Sequence, residues 1–323
     1  MIQSYYDKQL KIKEMKTMNV LSLFDGISCG QLALEKMLIK VDKYYSSEKE
    51  ENCIKITNKN FPNTIQLGDV IELTSDKLEE LPKIDLLIGG SPCKNLSIAV
   101  INNIEHNQGL DGIKSKLFYE YVRIFKWLTK NNNPDLKFLL ENVASMQDKD
   151  RDIISDVMGI EPIMIDSADY SAQNRKRYYW TNIDFELNED KDTTVLRDVI
   201  LDLDEIGNQP NGRMKVWYKQ DFEMVNTNGN VVGILDINGH DILKRLYSLD
   251  KKCATLTTCG GGNRQKKIIQ NGVARKLLPI EYERLQTVPD NYTKGVSNTA
   301  RYNMLGNGWT VDVLVDIFSG LTN

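Results

Sequence analysis

Short β-prone apolar runs alternate with longer amphipathic stretches through the first half of the chain. The strand patterns lie at 19–24, 43–47, 84–88, 137–140, 163–166 and 178–182, and the helix patterns lie at 31–38, 51–60 and 116–128. This order predicts a mostly parallel sheet with helices on both faces, because crossover helices join consecutive parallel strands. We therefore predict an α/β fold.

The pattern changes after residue 184. Connectors rich in Asn, Asp and Gly separate β-prone pieces such as 215–218 and 231–235. Helical patterns return at 278–318. The sequence therefore predicts a larger domain formed by 1–184 and 271–323, interrupted by a smaller and looser domain at 185–270.

The composition is that of a soluble globular protein, with 41% hydrophobic and 27% charged residues. The apolar runs are too short to span a bilayer, and the first 16 residues are polar and rich in lysine, without an apolar signal core. We expect a cytoplasmic protein with no membrane partner. The net charge of −4 disfavours a globally basic nucleic-acid binder but is compatible with a local basic groove.

Cysteine and histidine usage limits the chemistry that the chain can support. The five cysteines are scattered and form no CxxC pair, and the chain has two histidines. This pattern argues against a metal site, a disulfide framework and a Cys/His nucleophile pair. Any reactive cysteine therefore needs another activator.

One cysteine occupies a suggestive position, in the stretch GGSPCKNLS. Cys93 follows the apolar strand pattern at 84–88 and sits in a Gly/Ser/Pro turn. Open α/β sheets bind their ligands at the carboxyl ends of their strands, which is where this thiol is predicted to lie. These nine residues fit a reactive thiol and a loop cysteine without function equally well.

Acidic residues follow the first three predicted strands. The first strand leads into FDGISCG, where Gly26 and Gly30 permit a tight turn but lack the GxGxxG spacing of nicotinamide binders. Glu48 lies 22 positions after Gly26, where an acid accepts hydrogen bonds from ribose hydroxyls. Asp69 is expected to follow a further short strand, the third of the chain, between the patterns at 43–47 and 84–88. The pattern indicates an adenosine-containing ligand without a pyrophosphate, although Asp25, Glu48 and Asp69 also fit ordinary loop acids.

A carboxylic acid and two arginines follow at further strand ends. Glu141 ends the fifth strand pattern, and Arg175 and Arg177 precede the last one. Together with Cys93 they would suit addition to an electron-poor ring: the thiolate attacks, the acid hydrogen-bonds a ring nitrogen, and an arginine holds an exocyclic oxygen. The alternative for the arginines is a solvated charged face.

The ordered segments FDGISCG, SSE, GDV, GGSPC, ENV, QNRKR, ARKLLPIEYERLQTVPDNY and RYNMLGNGW resemble the motifs of the DNA (cytosine-5) methyltransferase family, in the family's order. In detail they are most similar to the catalytic domain of the animal de novo methyltransferases. The resemblance covers roughly 19–182 and 254–318. It implies the Rossmann-like fold of S-adenosylmethionine-dependent methyltransferases, with 185–270 as a small target-recognition domain and the remainder as the catalytic, cofactor-binding domain.

The resemblance also implies a reaction and its residues. The family transfers a methyl group from S-adenosylmethionine to carbon 5 of a cytosine that is flipped out of double-stranded DNA. Cys93 matches the nucleophile that adds to carbon 6, and Glu141 matches the glutamate that binds ring nitrogen 3 and the amine. Arg175 and Arg177 match the arginines near the base, and Arg177 is the expected contact to oxygen 2.

For the cofactor, the resemblance implies a pocket at the carboxyl edge of the sheet, which agrees with the adenosine ligand indicated by the acidic residues. The residues carried over are Phe24, Asp25, Gly26, Gly30, Glu48, Asp69, Val70, Pro92, Leu117 and Asn307.

The sequence predicts DNA contacts in two segments, one after a glycine run and one in the loop after Cys93. Arg264, Lys266 and Lys267 follow a glycine run and are expected to lie against phosphates. Lys94 stands where the family usually has a neutral amide, and it could stabilise the thiolate, touch a phosphate or point to solvent. Ser97 begins a loop long enough to close over the flipped base.

Two alternatives remain open from the sequence. One is an enzyme of transfer RNA, although the Cys-Phe-Thr tripeptide of that branch is missing; the other is an inactive DNA-binding regulator on the same fold. The Lys-, Asn- and Ile-rich composition suggests a bacterial or phage enzyme. The recognition sequence, the oligomeric state and the biological role, whether restriction-modification, phage protection or regulation, are not readable from the sequence.

Overall fold

The computed structural model describes residues 17–92, 116–207, 218–219, 221–225, 229–259 and 263–322. Its contacts divide the chain into two compact units. The first contains Met1–Ile165, Lys176–Leu187 and Leu314–Asn323, and the second contains Asp166–Arg175 and Asn188–Val313. The sequence placed 271–313 with the larger domain, whereas their contacts place them in the second unit. The assignment of a function to each segment stays a prediction.

The first unit is built on a seven-stranded sheet in the order β3-β2-β1-β4-β5-β7-β6. The strands are β1 (Met18–Leu23), β2 (Val41–Ser47), β3 (Ile65–Gln66), β4 (Leu86–Gly90), β5 (Lys137–Val143), β6 (Ile163–Asp166) and β7 (Lys176–Thr181). Strands β3, β2, β1, β4 and β5 pair in parallel, and β7 runs antiparallel to β5. The predicted α/β class and mostly parallel sheet are confirmed.

Helices connect these strands and cover the sheet. They are α1 (Cys29–Lys36), α2 (Glu51–Asn60), α3 (Ser75–Glu79), α4 (Lys116–Asn131) and α5 (Asp148–Met158), with a 3₁₀ turn at Val70–Glu72. Helix α4 shows why the pattern folds this way: Phe118, Tyr121 and Leu128 recur at helical spacing and are fully buried. They pack in one core with strand residues such as Leu21 and Leu87, and each such side chain contributes about 1.5–3 kcal/mol on burial.

The second unit contains a six-stranded sheet in the order β8-β13-β12-β11-β10-β9. Its strands are β8 (Tyr218–Lys219), β9 (Phe222–Met224), β10 (Val231–Leu235), β11 (Arg245–Tyr247), β12 (Lys267–Gln270) and β13 (Val273–Lys276). Its helices are α6 (Leu196–Val199), α7 (Leu203–Gly207), α8 (Asp241–Lys244), α9 (Pro279–Leu285) and α10 (Asn298–Asn307). The last helix, α11 (Val311–Phe318), begins in the second unit and ends in the first.

Two buried ion pairs hold α9 in the second unit. Glu281 binds Arg275 at 2.6 Å with both side chains inaccessible to solvent, and Glu283 binds Arg301 at 2.9 Å. Glu281 also accepts from the Leu278 amide, so its lone pairs are well used. Because removing one partner of such a pair leaves a buried charge, these four residues fix the local fold. Within the ranges described above, the helices are too short or too polar to cross a bilayer.

Candidate active site

The turn between β1 and α1 contains three residues in the left-handed conformation. Phe24, Gly26 and Ser28 all have φ between 57° and 59°. Glycine adopts this left-handed conformation freely, whereas a side chain makes it cost about 1–2 kcal/mol per residue. Strained backbone of this kind is typical of ligand-binding turns.

Neighbouring groups hold the turn in place. The Gly26 amide donates to Glu48 Oε2 at 2.7 Å, and the Phe24 amide donates to the Ser47 carbonyl at 2.8 Å. Ser28 is the N-cap of α1, but its hydroxyl donates to the Asp25 carboxylate and does not cap the helix. The turn is therefore fixed by side chains from its own loop and by the end of β2.

The Asp25 side chain points into the protein. Tyr44 Oη donates to its Oδ1 at 2.8 Å, and the hydroxyls of Ser46 (3.0 Å) and Ser28 donate to its Oδ2. Burial raises the pKa of Asp25 above its ordinary value, while these donors oppose the shift. The sequence assigned Asp25 to the methionine end of the cofactor. In the structure its carboxylate is engaged with hydroxyls, which leaves the main chain of the turn to face a ligand.

Main-chain amides hold both oxygens of the Glu48 carboxylate. Its Oε1 accepts from the amides of Lys49 (2.8 Å) and Glu50 (2.9 Å), and its Oε2 accepts from Gly26. Each carboxylate oxygen can accept two hydrogen bonds, so Oε2 retains capacity for a hydroxyl. Asp69 is half-buried, accepts from the Ile71 amide at 3.3 Å and lies 3.5 Å from Lys49 Nζ.

The other residues assigned to the cofactor pocket divide between the two units. Gly30 and Val70 are buried in the first unit, where Phe24, Pro92 and Leu117 are half-buried. Asn307 is exposed at the end of α10 in the second unit. The first unit alone therefore gathers the turn, Glu48 and Asp69 at the carboxyl ends of adjacent parallel strands.

Glu141 and Arg177 meet at the same edge of the sheet. Glu141 lies opposite Tyr179 in the β5–β7 ladder, and Arg177 lies opposite Val143, so the two side chains are diagonal neighbours on one face. Arg177 Nε is 2.8 Å from Glu141 Oε1, and the side chains are 13% and 10% exposed. The structure thus brings together two of the residues that the sequence assigned to catalysis.

This pair lies beside the segment that leads to Cys93. Glu141 is in register with Gly90 of β4, and Asn142 Nδ2 donates to Ser91 Oγ at 3.1 Å. Arg177 Nη1 donates to the Lys176 carbonyl at 2.8 Å. Within the described part of the chain, no partner takes Arg177 Nη2, which leaves that nitrogen for a ligand oxygen.

The predicted nucleophile Cys93, together with Lys94 and Ser97, lies outside the described residues. The four other cysteines are buried. Burial raises the pKa of the Cys253 thiol to about 12 and also raises the pKa of Cys53 and Cys259, which keeps those thiols protonated and unreactive.

Arg175, which the sequence placed near the base, lies in a buried environment. It belongs to the second unit, is 2% exposed and donates to three main-chain carbonyls: Leu256 at 3.1 Å, Gly306 at 3.2 Å and Gly308 at 2.9 Å. Its guanidinium therefore joins loop 253–259 to the end of α10. These contacts give Arg175 a structural part in the second unit, and its predicted place near the base stays a prediction.

Gln173 and Gly306 complete this arrangement. Gln173 accepts from the Leu256 amide at 2.9 Å and donates to the Leu285 carbonyl at 3.0 Å. A Cβ at Gly306 would lie 2.5 Å from the Thr257 carbonyl carbon, so only glycine permits this approach. Loop 253–259 is thus held against α10 from two sides.

Lys266 and Lys267 do not form the exposed basic segment that the sequence predicted. Lys267 is 1% exposed and donates to the carbonyls of Leu243, Asn263 and Gln265, while Lys266 is 8% exposed and lies over the Tyr247 ring at 5.6 Å. Burial lowers the pKa of both lysines, that of Lys267 to about 8. Arg264 is exposed and stays the candidate for a phosphate contact.

Sequence reasoning missed the polar groups that support these residues. Tyr44 and Ser46 alternate along β2 and therefore face the same side of the sheet, and Asn142 links β5 to Ser91. A tyrosine within a buried strand is a usable signal, because its hydroxyl requires a partner there.

The chain is similar in sequence to known proteins. A family model described as C-5 cytosine-specific DNA methylase matches residues 18–323. The type II methyltransferase M.HhaI of Haemophilus parahaemolyticus is 26% identical over 332 residues, which cover 95% of this chain and 94% of that protein. The DNA (cytosine-5)-methyltransferase DRM2 of Oryza sativa subsp. japonica is 39% identical over 118 residues, which cover 34% of this chain and 19% of DRM2.

A solved structure shows the same fold. A candidate DNA modification methyltransferase encoded within an E. coli prophage superposes with a TM-score of 0.64 and 18% identity, over 94% of this chain and 98% of that one. The similarity confirms the methyltransferase fold predicted from the motifs.

Proposed function

Because the chain belongs to the C-5 cytosine-specific DNA methylase family, we propose that it transfers a methyl group from S-adenosylmethionine to carbon 5 of a flipped-out cytosine in duplex DNA. The observation that carries the proposal is the Arg177–Glu141 pair, nearly buried at the sheet edge beside the Ser91–Pro92 segment that precedes Cys93. Similarity to the type II methyltransferase M.HhaI supports a role in DNA modification.

Cys93 is the proposed nucleophile. Carbon 5 of cytosine is a weak nucleophile, and addition of a thiolate to carbon 6 moves electron density onto it. The sulfur of Cys93 would bond to carbon 6, and carbon 5 would then take the methyl group as its bond to the cofactor's sulfur breaks, which releases S-adenosylhomocysteine. Water would remove the proton from carbon 5, and the electron pair of that bond would restore the carbon 5–carbon 6 double bond and expel the Cys93 thiolate. The buried Cys53, Cys253 and Cys259 are unsuited to this role because their thiols stay protonated.

Glu141 and Arg177 would hold the base and direct the electron flow. Arg177 Nε fixes Glu141 Oε1, which orients the carboxyl group at the strand end. In the proposed complex the Glu141 carboxyl group and ring nitrogen 3 share a proton in a hydrogen bond. This interaction makes carbon 6 more electrophilic. Arg177 Nη2 would donate to oxygen 2 of the same ring.

The residues of the β1–α1 turn fit the cofactor. S-adenosylmethionine supplies an electrophilic methyl group attached to a positively charged sulfur. Gly26 presents main chain that a ligand can approach closely, and Glu48 Oε2 keeps a lone pair for a ribose hydroxyl. Glu48 and Asp69 also give this edge a negative potential, which favours a cationic ligand.

Residues 185–270 are the proposed target-recognition domain. Exposed Arg264 supports this assignment, because a guanidinium on the surface can neutralise a DNA phosphate. Loop 253–259, held by Arg175 and Gln173, lies within the same segment and supplies a fixed scaffold for such contacts.

The test is transfer of tritium from labelled S-adenosylmethionine to unmethylated genomic DNA and, in parallel, to transfer RNA. We expect label on DNA with the wild type and with Cys253→Ser, a matched control at a buried thiol, and no label with Cys93→Ser. Label on RNA alone would change the substrate, and no label on either would favour an inactive DNA-binding protein.

A further inference from the structure

We infer that Tyr44 is a positioning residue for cofactor binding, which acts through Asp25 on the strained turn between β1 and α1. The inference rests on the proposed function, because it concerns the affinity for S-adenosylmethionine. Tyr44 itself is 2% exposed and so cannot touch a ligand. Its effect must pass through the carboxylate that its hydroxyl binds.

The hydrogen bond from Tyr44 links the Asp25 carboxylate to β2. Tyr44 Oη donates to Asp25 Oδ1 at 2.8 Å, and Ser46, two residues further on the same strand face, donates to Oδ2 at 3.0 Å. Ser28 donates to Oδ2 from the other end of the turn. The carboxylate therefore ties the middle of the turn both to β2 and to the start of α1.

These hydrogen bonds oppose the strain of the turn. Asp25 lies between Phe24 and Gly26, which both have positive φ, and Ser28 adds a third left-handed residue. A backbone that is unfavourable by itself persists only where surrounding contacts over-determine it. Loss of the Tyr44 donor would leave Asp25 Oδ1 without that partner in a buried site, and the turn would populate relaxed conformations that bind the cofactor poorly.

Hydroxyl groups supply the stabilising contacts to the Asp25 charge. Within the described residues, no lysine or arginine forms an ion pair with this carboxylate. The titratable groups that act on Asp25 or on neighbouring Cys53 include Cys29, Tyr44, Glu48 and Glu50. They are acids, thiols and a phenol, so none of them offers a positive charge. Donation by Tyr44 thus favours the ionised form of Asp25, whose pKa burial has already raised.

The Tyr44 hydroxyl should affect how the affinity for S-adenosylmethionine depends on pH. Removing the Tyr44 hydroxyl raises the pKa of Asp25 further, so the carboxyl takes up a proton at a higher pH. A protonated carboxyl has less acceptor capacity for Ser28 and Ser46 and holds the turn less well. The affinity for S-adenosylmethionine should therefore fall at acidic pH, and Tyr44→Phe should begin this fall at a higher pH than the wild type.

The experiment measures the dissociation constant of S-adenosylmethionine by isothermal titration calorimetry between about pH 4 and pH 9, a range that extends upward from the ordinary carboxyl pKa. We expect Tyr44→Phe to raise the dissociation constant about tenfold at pH 7.5, the size of one lost hydrogen bond to a charged group. The acid limb of the pH profile, where affinity falls as the pH is lowered, should begin at a higher pH than in the wild type. The matched control is Tyr302→Phe, which removes a buried hydroxyl that donates to the Leu277 carbonyl at 2.7 Å in the second unit. The control should bind like the wild type.

A double-mutant cycle separates positioning from general damage. We expect Asp25→Asn to bind weakly without the acid limb, and Tyr44→Phe to have little further effect in that background. Ser46→Ala, which removes a donor to the same carboxylate, replaces Tyr44→Phe in the test if that variant does not fold.

The inference would be overturned, with the proposed function intact, if Tyr44→Phe had wild-type affinity and an unchanged pH profile. It would also be overturned if the effects of Tyr44→Phe and Asp25→Asn on the dissociation constant multiplied independently. A wild type that binds no S-adenosylmethionine at any pH would overturn the proposed function together with the inference.

Discussion

Replacing Arg177 with lysine tests the pair on which the proposed chemistry depends. The substitution keeps a positive charge but replaces a planar guanidinium with a single ammonium group. In the wild type, Nε binds Glu141 Oε1 at 2.8 Å, Nη1 binds the Lys176 carbonyl at 2.8 Å, and Nη2 is proposed to bind the base. A lysine can reproduce one of these three directions at the correct distance.

The expected magnitude follows from the burial of the pair. Exposed ion pairs contribute about 0–1 kcal/mol, but Glu141 and Arg177 are 10% and 13% exposed, so solvent screens them little. A hydrogen bond to a charged group in such a place contributes about 1.5–3 kcal/mol. We expect Arg177→Lys to lower kcat/KM for DNA methylation by about 10- to 100-fold, since about 1.4 kcal/mol corresponds to a factor of ten. The affinity for S-adenosylmethionine should not change.

The assay is steady-state methyl transfer to duplex DNA, with Arg123→Lys as the control. Arg123 has a matched set of contacts in the same unit: Nε binds Glu120 Oε2 at 2.9 Å and Nη2 binds the Leu73 carbonyl at 2.8 Å. Arg123→Lys should stay within about twofold of the wild type, the effect of a more exposed pair. If Arg177→Lys kept more than half of the wild-type kcat/KM, the proposed role of the pair would be refuted.

Three further predictions concern the second unit. Gly306→Ala should destabilise the fold by about 1–3 kcal/mol, because the added Cβ would lie 2.5 Å from the Thr257 carbonyl carbon and the loop must move; an unchanged urea midpoint would contradict this reasoning. Arg264→Met should weaken DNA binding and reduce the slope of log affinity against log salt by about 0.9, the value for one lost phosphate contact. Lys267→Met should leave that slope unchanged but lower the thermal midpoint, because the ammonium serves three carbonyls inside the protein. A reduced slope in Lys267→Met would restore its predicted role at phosphates.

The periodicity of the first half was sufficient to predict its architecture. The bounds predicted for α2 and β6 coincide with those observed, and the other predicted strands and helices of this half differ by a few residues at their ends, whereas α3 and α5 were not predicted. Hydrophobic pattern works here because parallel strands are buried on both faces and helices present one apolar stripe. The pattern contains no information on strand direction, so the antiparallel insertion of β7 between β5 and β6 was not predicted.

The environment of charged side chains was less accessible to sequence reasoning. Arg175, Lys266 and Lys267 lie in polar segments, which usually indicate exposure, yet each is buried and has at least one partner in a distant segment: a carbonyl for Arg175 and Lys267 and an aromatic ring for Lys266. Such acceptors come from the tertiary fold and leave no local pattern. Glu141 and Arg177 were placed correctly at one sheet edge because each directly adjoins a predicted strand end.

Covalent trapping tests the central claim most directly. In genomic duplex DNA in which 5-fluorocytosine replaces every cytosine, the target cytosine of each recognition site is fluorinated, whatever the sequence of that site. Fluorine at carbon 5 cannot leave as a proton does. With S-adenosylmethionine present, the wild type and Cys253→Ser should form a protein–DNA adduct that survives denaturation, and Cys93→Ser should form none. Absence of an adduct with a wild type that binds both ligands, or an equal adduct with Cys93→Ser, would contradict the account.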